Sequence, residues 1–356
     1  YKISLELIKE VASSKTASIA DQEAAANTKI TSELKSYSTK QAIAVPLQTR
    51  DKPIGILYLD NRLASGMFGK DELELMKGFA VQASVSIDNA YLVSSLVEQE
   101  RLKQELELGR QIQESLLPKE SPTIPGLKVT GLMSPAKEIG GDYYDFVELP
   151  AITPSAKSQE GRGEGLAIVI GDVSGKGVAA GLLMSMAKTA IHTLSQEEAS
   201  PRNVLLRTNQ ILVKHIASQK FMTMLYFRYE PSSRALTYSS AGHEHILIYR
   251  NTTKTVDSII SGGFMLGMMP DIAAFLEDKQ VTLNPGDKIV LYTDGVTEAR
   301  NPGEELFSLE RLIALIQKHG PKAAPELMSS IKEEVYSFIG TREQYDDITL
   351  VVMEAT

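Results

Sequence analysis

Six aspartates stand beside glycines or against apolar runs, where a carboxylate can be held rigidly and still be reached by a ligand. Four segments carry them: Gly140-Gly141-Asp142-Tyr143-Tyr144-Asp145, Gly171-Asp172-Val173-Ser174-Gly175-Lys176-Gly177, Tyr292-Thr293-Asp294-Gly295 and Tyr345-Asp346-Asp347-Ile348-Thr349. One apolar run leads into Asp172, a second into Asp294, and a third follows Asp347. Carboxylates gathered in one site repel one another, and burial raises their pKa values unless a cation neutralises them. Oxygen donors with no cysteine and few histidines select Mg²⁺ or Mn²⁺ over zinc. Two such ions about 3.5–4 Å apart lower the pKa of a bridging water and stabilise in-line displacement at phosphorus. Gly140, Gly141 and Gly171 remove side-chain bulk where a phosphate or a carbonyl must approach. The bland alternative is that each aspartate caps a turn or a helix, the commonest role of Asp beside Gly. Four such segments in one chain weigh against it.

Carboxylates at fixed positions need rigid elements behind them. Strands are expected at Lys128–Leu132, Leu166–Ile170, Phe221–Tyr229, Ala235–Ser240, Ile246–Tyr249, Lys288–Tyr292 and Ile348–Met353, and helices at Val178–Leu194, Asn203–Ala217, Leu309–Gln317 and Pro325–Ile339. Consecutive strands followed by helices point to an α+β fold of antiparallel layers rather than a doubly wound parallel sheet. Residues 150–165 lack a periodic apolar pattern and read as a mobile hairpin loop. This domain is expected to span 119–356.

Upstream, residues 1–90 read as a small α/β module. Two apolar strands, Ala42–Leu47 and Pro53–Asp60, flank a polar turn, and Leu73, Met76, Phe79, Ala80, Ala83 and Ile87 then recur at helical spacing. Residues 91–118 read as a charged helical linker. Its apolar pairs Leu92/Leu96, Leu102/Leu106 and Ile112/Leu116 repeat every ten residues, a heptad plus three, which overwinds a coiled coil. The plain reading is a surface helix with one apolar stripe; the functional one is a homodimer paired through 91–117. Pro118 and the following Pro/Ser cluster close the helix.

The 356-residue chain has a formal charge of −8, no cysteine and five histidines. The acidic balance argues against a nucleic-acid binder. No apolar run reaches the roughly 18 residues of a membrane span, and no signal-peptide core opens the sequence. Disulfides and thiolate zinc sites are excluded, as suits a cytoplasmic protein.

The order SLLPKE, GGDYYDF, GDVSGKGVAAGLLMSMAK, FMTMLYF, AGHEHILIYR, PGDKIVLYTDGVTEARN and YDDITLVV resembles the RsbU/SpoIIE-type branch of metal-dependent, type 2C-like serine/threonine phosphatases, across essentially all of 119–356. The resemblance implies a β-sandwich flanked by helices and two Mn²⁺ or Mg²⁺ ions. By position, Asp172 would bridge the ions with the Val173 carbonyl as a further ligand. Asp294 and Asp346 would hold one ion, and Asp142 would act through water or hold a weaker site. Asp346 is favoured over Asp347, which reads as structural, although either fits the motif. The family also implies water as nucleophile, no phospho-enzyme, and as substrate a phosphoprotein, usually a STAS-type anti-sigma-factor antagonist in bacterial signalling. Residues 3–92 resemble the C-terminal half of a GAF sensory domain. That implies regulation of the phosphatase through the linker by an unidentified ligand or partner, in a domain without its first strands.

Other readings of single features are weaker. Lys137, five residues before Asp142, could contact the substrate phosphate or be a solvated surface lysine. His243 and His245, two apart and hence on one face of a strand, suit packing better than metal binding. Gly140-Gly141-Asp142 superficially resembles a diguanylate cyclase signature, but Tyr143-Tyr144 replaces its Glu-Phe. Gly171 to Gly177 fails the P-loop spacing. A non-catalytic phosphoprotein-binding module is the other alternative.

Overall fold

The computed structural model of the chain describes residues 2–23, 27–49, 52–150, 165–215 and 220–356. They form two compact units, Tyr1–Lys103 and Gln104–Thr356.

In the first unit, α1 (Leu5–Ser14) begins at Ser4 and α2 (Thr28–Ser36) at Asn27; each cap side chain accepts a backbone N–H of the first turn. Strands β1 (Ser18–Asp21), β2 (Gln41–Gln48) and β3 (Pro53–Asn61) pair antiparallel in that order. The pleat of β2 sorts its side chains between two cores. Ala42 and Ala44 pack with Leu7, Val11, Ile30 and Leu34 of α1 and α2. Ile43, Val45 and Leu47 pack with Ala80, Leu73, Met76 and Ile87 of α3 (Lys70–Leu116). Both faces are covered, so the strand reads as a continuous apolar run instead of an alternating one. The packing helix and the linker, read separately from the sequence, are one 47-residue helix. Leu92, Leu96, Leu102 and Ile112 are exposed along it.

The second unit is a sandwich of two antiparallel sheets. The six-stranded sheet has the order β11-β10-β13-β14-β5-β4, built from β4 (Thr123–Ile124), β5 (Leu127–Ser134), β10 (Ile246–Arg250), β11 (Thr255–Ile259), β13 (Lys288–Tyr292) and β14 (Ile348–Ala355). The five-stranded sheet has the order β12-β9-β8-β7-β6, from β6 (Asp142–Leu149), β7 (Gly165–Val173), β8 (Met222–Glu230), β9 (Ala235–Ala241) and β12 (Lys279–Val281). Period-two alternation again divides each strand. Leu166, Ile168 and Ile170 of β7 meet Val351 and Met353 of β14 between the sheets. Ala167 and Val169 face α4 (Val178–Ser195) and α5 (Pro201–Leu212). On the opposite flank, Leu350 and Val352 lie under α7 (Leu309–His319) and α8 (Ala324–Ile339). A four-residue helix, α6 (Asp294–Thr297), follows β13.

The expected α+β sandwich is therefore present, with some differences. Asp142 and Asp145 lie inside strand β6, which the sequence reading did not identify. The helix expected at Asn203–Ala217 starts at Pro201, capped by Ser200, and ends at Leu212; Ala217 lies outside the described residues. So do residues 151–164, where a mobile hairpin loop was expected. His243 and His245 are not strand neighbours on one face, because both lie in the connection between β9 and β10. Among the described residues, no helix is long and apolar enough to cross a membrane.

Candidate metal centre

The ends of β7, β13 and β14 meet at a cavity of about 290 Å³. It is lined by Asp172, Val173, Ser174, Gly175, Lys176, Phe221, Thr223, His243, Glu244, Asp294 and Asp346. Three of the five aspartates expected as candidate metal ligands thus share one space with the Val173 residue. Asp172 is brought there by β7, Asp294 by the first turn of α6, and Asp346 by the segment before β14.

Asp142 and Asp347 lie beneath that space. Asp142 stands opposite Asp172 across the β6–β7 pair. Its Oδ2 accepts the hydroxyls of Thr293 at 2.7 Å and Thr349 at 2.5 Å. Asp347 spends both oxygens on backbone, Oδ1 on the Ala136 N–H at 2.8 Å and Oδ2 on the Gly141 N–H at 2.7 Å. Asp346 differs: Oδ1 accepts the Asp347 N–H at 2.9 Å, and Oδ2 is 3.0 Å from the Lys176 ammonium. Adjacent residues point oppositely, so one carboxylate faces the cavity and the other braces its floor.

Close approach of backbone explains the glycine before Asp142. A Cβ on Gly141 would stand 2.7 Å from the Val173 carbonyl oxygen and 3.0 Å from that of Gly175. Gly175 (φ 82°) and Gly177 (φ 85°) sit in the left-handed region, which admits the tight turn between β7 and α4.

The carboxyls in and beneath the cavity repel one another. Burial raises the Asp172 carboxyl to about 7, with the charges of Asp294 and Asp346 adding to it. Asp294 rises to about 6 through burial, then through Asp346, Glu298 and Glu244. Asp142 is pushed well above the carboxylate range by burial and by Asp172 and Asp347, against the two threonine hydroxyls. Among the described residues, no three acidic or histidine side chains already converge as a metal-binding group. The donor set is nevertheless all oxygen, and its repulsion is what a divalent cation would relieve. The residues therefore fit Mg²⁺ or Mn²⁺, on condition that the cation draws the carboxylates together.

His243 forms a buried wall of the cavity. Its Nδ1 is 2.9 Å from Thr223 Oγ1, and burial lowers it to about 3, so it is neutral. His245 instead meets Ser258, with 3.0 Å between Nδ1 and Oγ. Lys137 is exposed and does not line the cavity.

The family model for stage II sporulation protein E (SpoIIE) matches residues 162–356, more than half of the chain. The chain belongs to the SpoIIE family. Asp172, Asp294, Asp346 and Asp347 fall within the matched range, and Asp142 precedes it. A GAF-domain model matches residues 3–89. The SpoIIE-family chain is 32% identical over 279 residues to phosphoserine phosphatase RsbU of Bacillus subtilis, covering 77% of this chain and 78% of that protein. Its fold is similar to the SiaA PP2C domain of Pseudomonas aeruginosa (TM-score 0.59, 19% identity, 73% of this chain and 99% of that one). It is also similar to the RsbU and RsbW domains of a Mycobacterium tuberculosis protein (TM-score 0.55, 24% identity, 66% of this chain and 61% of that one). This SpoIIE-family member is a protein serine/threonine phosphatase carrying a GAF domain, which removes the cyclase and the purely binding alternatives.

Several residues of the SpoIIE-family site were not identified from sequence. Thr293 and Thr349 hold Asp142, and both lie inside motifs already noticed. Lys176 lies in the glycine-rich segment itself. Asp145, three residues after Asp142 in the same strand, belongs elsewhere. It accepts from Tyr143 (2.9 Å) and His192 (2.7 Å) and pairs with Lys188. Burial pushes its carboxyl up, but the hydrogen bonds from His192 and Lys188 outweigh burial and hold it below the usual value. A depressed carboxylate stabilises the fold above its unfolded pKa and ceases to do so as pH falls through its folded pKa. Asp145→Asn is thus expected to cost about 2–3 kcal/mol at pH 7 in urea unfolding. The difference from wild type should shrink as pH drops below the ordinary aspartate value of 3.8.

Proposed function

We propose that this chain hydrolyses phosphoserine or phosphothreonine on a STAS-type anti-sigma-factor antagonist, using two Mn²⁺ or Mg²⁺ ions held at the cavity. One observation carries the reading: Asp172, Asp294 and Asp346 share a cavity in which two carboxyls are raised to about 7 and about 6. When bound, such ions supply an acidified water and withdraw charge from the phosphoryl group. Asp172 and the Val173 carbonyl would serve both ions, and Asp294 and Asp346 would hold one. Asp142, fixed by its two threonines, would orient water ligands beside Asp172, with Asp347 as a brace. Ser174 Oγ accepts the Phe221 N–H at 3.0 Å, so its position is fixed by the turn. Water would be the nucleophile, with no phospho-enzyme. A substrate of this class places the reaction in the cytoplasm.

The end of α3 supplies a route for regulation by the GAF domain. Gln113, 5% exposed, donates to the Gly140 carbonyl at 2.8 Å and accepts the Gly140 N–H at 3.0 Å. The glycine pair before Asp142 is thereby tied to the helix. The exposed Leu92, Leu96, Leu102 and Ile112 support pairing of two copies through 91–117. Gln113→Ala leaves two buried backbone groups without partners, a cost of about 1–3 kcal/mol. It should lower phosphate release on the order of tenfold at limiting Mn²⁺. Rates equal to wild type across the Mn²⁺ range would exclude this route.

The substrate reading is tested by phosphate release from a phosphorylated STAS-type protein and from a phosphotyrosine peptide, with Mn²⁺ or with EDTA. Mn²⁺-dependent release from the STAS protein alone is expected. Equal turnover of both would remove the assignment to phosphoserine and phosphothreonine.

A further inference from the structure

Lys176 is the one cationic side chain among the described residues lining the cavity. Its ammonium lies 3.0 Å from Asp346 Oδ2 and hydrogen-bonds the Tyr345 carbonyl. It also stands 4.5 Å from the centre of the Tyr345 ring, whose other cationic neighbour is Arg300, at 5.2 Å. The lysine side chain is 22% exposed. Its backbone sits between Gly175 and Gly177, both at positive φ, so the turn that bends around the cavity carries the lysine at its rim.

A divalent cation on Asp346 and an ammonium 3.0 Å from one of its oxygens compete for the same charge, and like charges repel at that range. The lysine therefore partly neutralises the carboxylate cluster, and a cation on Asp346 would displace it. A released ammonium on a flexible four-carbon stem is a point charge suited to phosphate. Lys137, the phosphate contact considered from sequence, does not line the cavity.

We propose that Lys176 competes with the metal ions for Asp346 and, displaced by them, binds the substrate phosphate. The inference rests on the metal-centre reading above and adds to it an internal competitor for metal that doubles as the phosphate contact. The exchange needs no covalent step.

The test uses the full chain with Lys176→Met, which keeps the apolar stem and removes the charge, and Lys176→Arg, which keeps a charge. Mn²⁺ affinity is measured by calorimetry on EDTA-stripped protein, and inhibition by inorganic phosphate is measured alongside KM for the phosphoprotein. Lys176→Met is expected to bind Mn²⁺ about threefold or more tightly, because a partly exposed ion pair is lost. KM and the inhibition constant for phosphate should both rise about tenfold. Lys176→Arg should stay within about threefold of wild type in all three. Weaker Mn²⁺ binding in Lys176→Met, or unchanged phosphate inhibition, would make Lys176 a structural clamp and overturn the proposal. Wild-type protein that binds no Mn²⁺ would instead overturn the metal-centre reading and the exchange with it. If Lys176→Met does not fold, a Lys176→Arg protein with phosphate inhibition weakened tenfold would contradict the proposal by itself.

Discussion

Asp172→Asn is expected to reduce Mn²⁺-dependent phosphate release at least about a hundredfold while making the metal-free protein more stable. The two effects have one cause. Asp172 is the carboxylate nearest the centre of the repulsion, facing Asp142 across the strand pair and sharing the cavity with Asp294 and Asp346. Asparagine keeps the shape and removes the charge that a cation needs. The sign of the stability effect follows from linkage. Burial and its acidic neighbours raise Asp172 to about 7 in the fold from the ordinary 3.8, so its ionisation opposes folding progressively as pH rises between those values. The variant should gain about 1–3 kcal/mol near pH 7.5, after discount for partial solvent access, and little below pH about 4. Thermal melts with EDTA at both pH values check this. Loss of activity together with loss of stability at pH 7.5 would mean that Asp172 is a structural residue.

Gly141→Ala is the second large effect. The added methyl would lie 2.7 Å from the Val173 carbonyl oxygen and 3.0 Å from that of Gly175, both backbone atoms of the turn that follows Asp172. Backbone cannot rotate aside as a flexible side chain can, so the β7–α4 turn must shift. Overpacking of this kind costs about 1–3 kcal/mol. A displacement near 1 Å in a catalytic array costs on the order of a hundredfold in kcat. Gly78→Ala, where an added Cβ meets nothing within 4 Å, is the matched control and should leave activity intact. Circular dichroism and kcat on both variants distinguish local distortion from global unfolding. Full activity in Gly141→Ala would show that the turn is slack and the Val173 carbonyl uninvolved.

The sandwich and the carboxylates were legible because their signals are local. Doubly buried strands such as Leu166–Ile170 leave uninterrupted apolar runs, and aspartates next to glycine mark their ends. What was hidden depended on partners distant in sequence. Strand β6 carries two buried aspartates, a residue type depleted in strands, so its pattern did not read as one. Short edge elements such as β11, with Asp257 and Ser258 in its middle, offer little apolar pattern. Adjacency of Asp346 and Asp347 shows that they point to opposite sides, but only the fold shows that Gly141 and Ala136 lie on the Asp347 side. The pairing of Lys176 with Asp346 joins residues 170 positions apart, and neither motif contains a sign of the other.

The most direct measurement is a calorimetric titration of Mn²⁺ into EDTA-stripped wild-type protein and into Asp294→Asn. Asp294 lines the cavity from the first residue of α6, so the change acts on the donor set. The account predicts saturable Mn²⁺ binding in the wild type and an affinity at least about thirtyfold lower in the variant, as expected for loss of a charged oxygen ligand. Equal affinity and stoichiometry in the two proteins would contradict it, because the cation would then be held somewhere other than among these carboxylates.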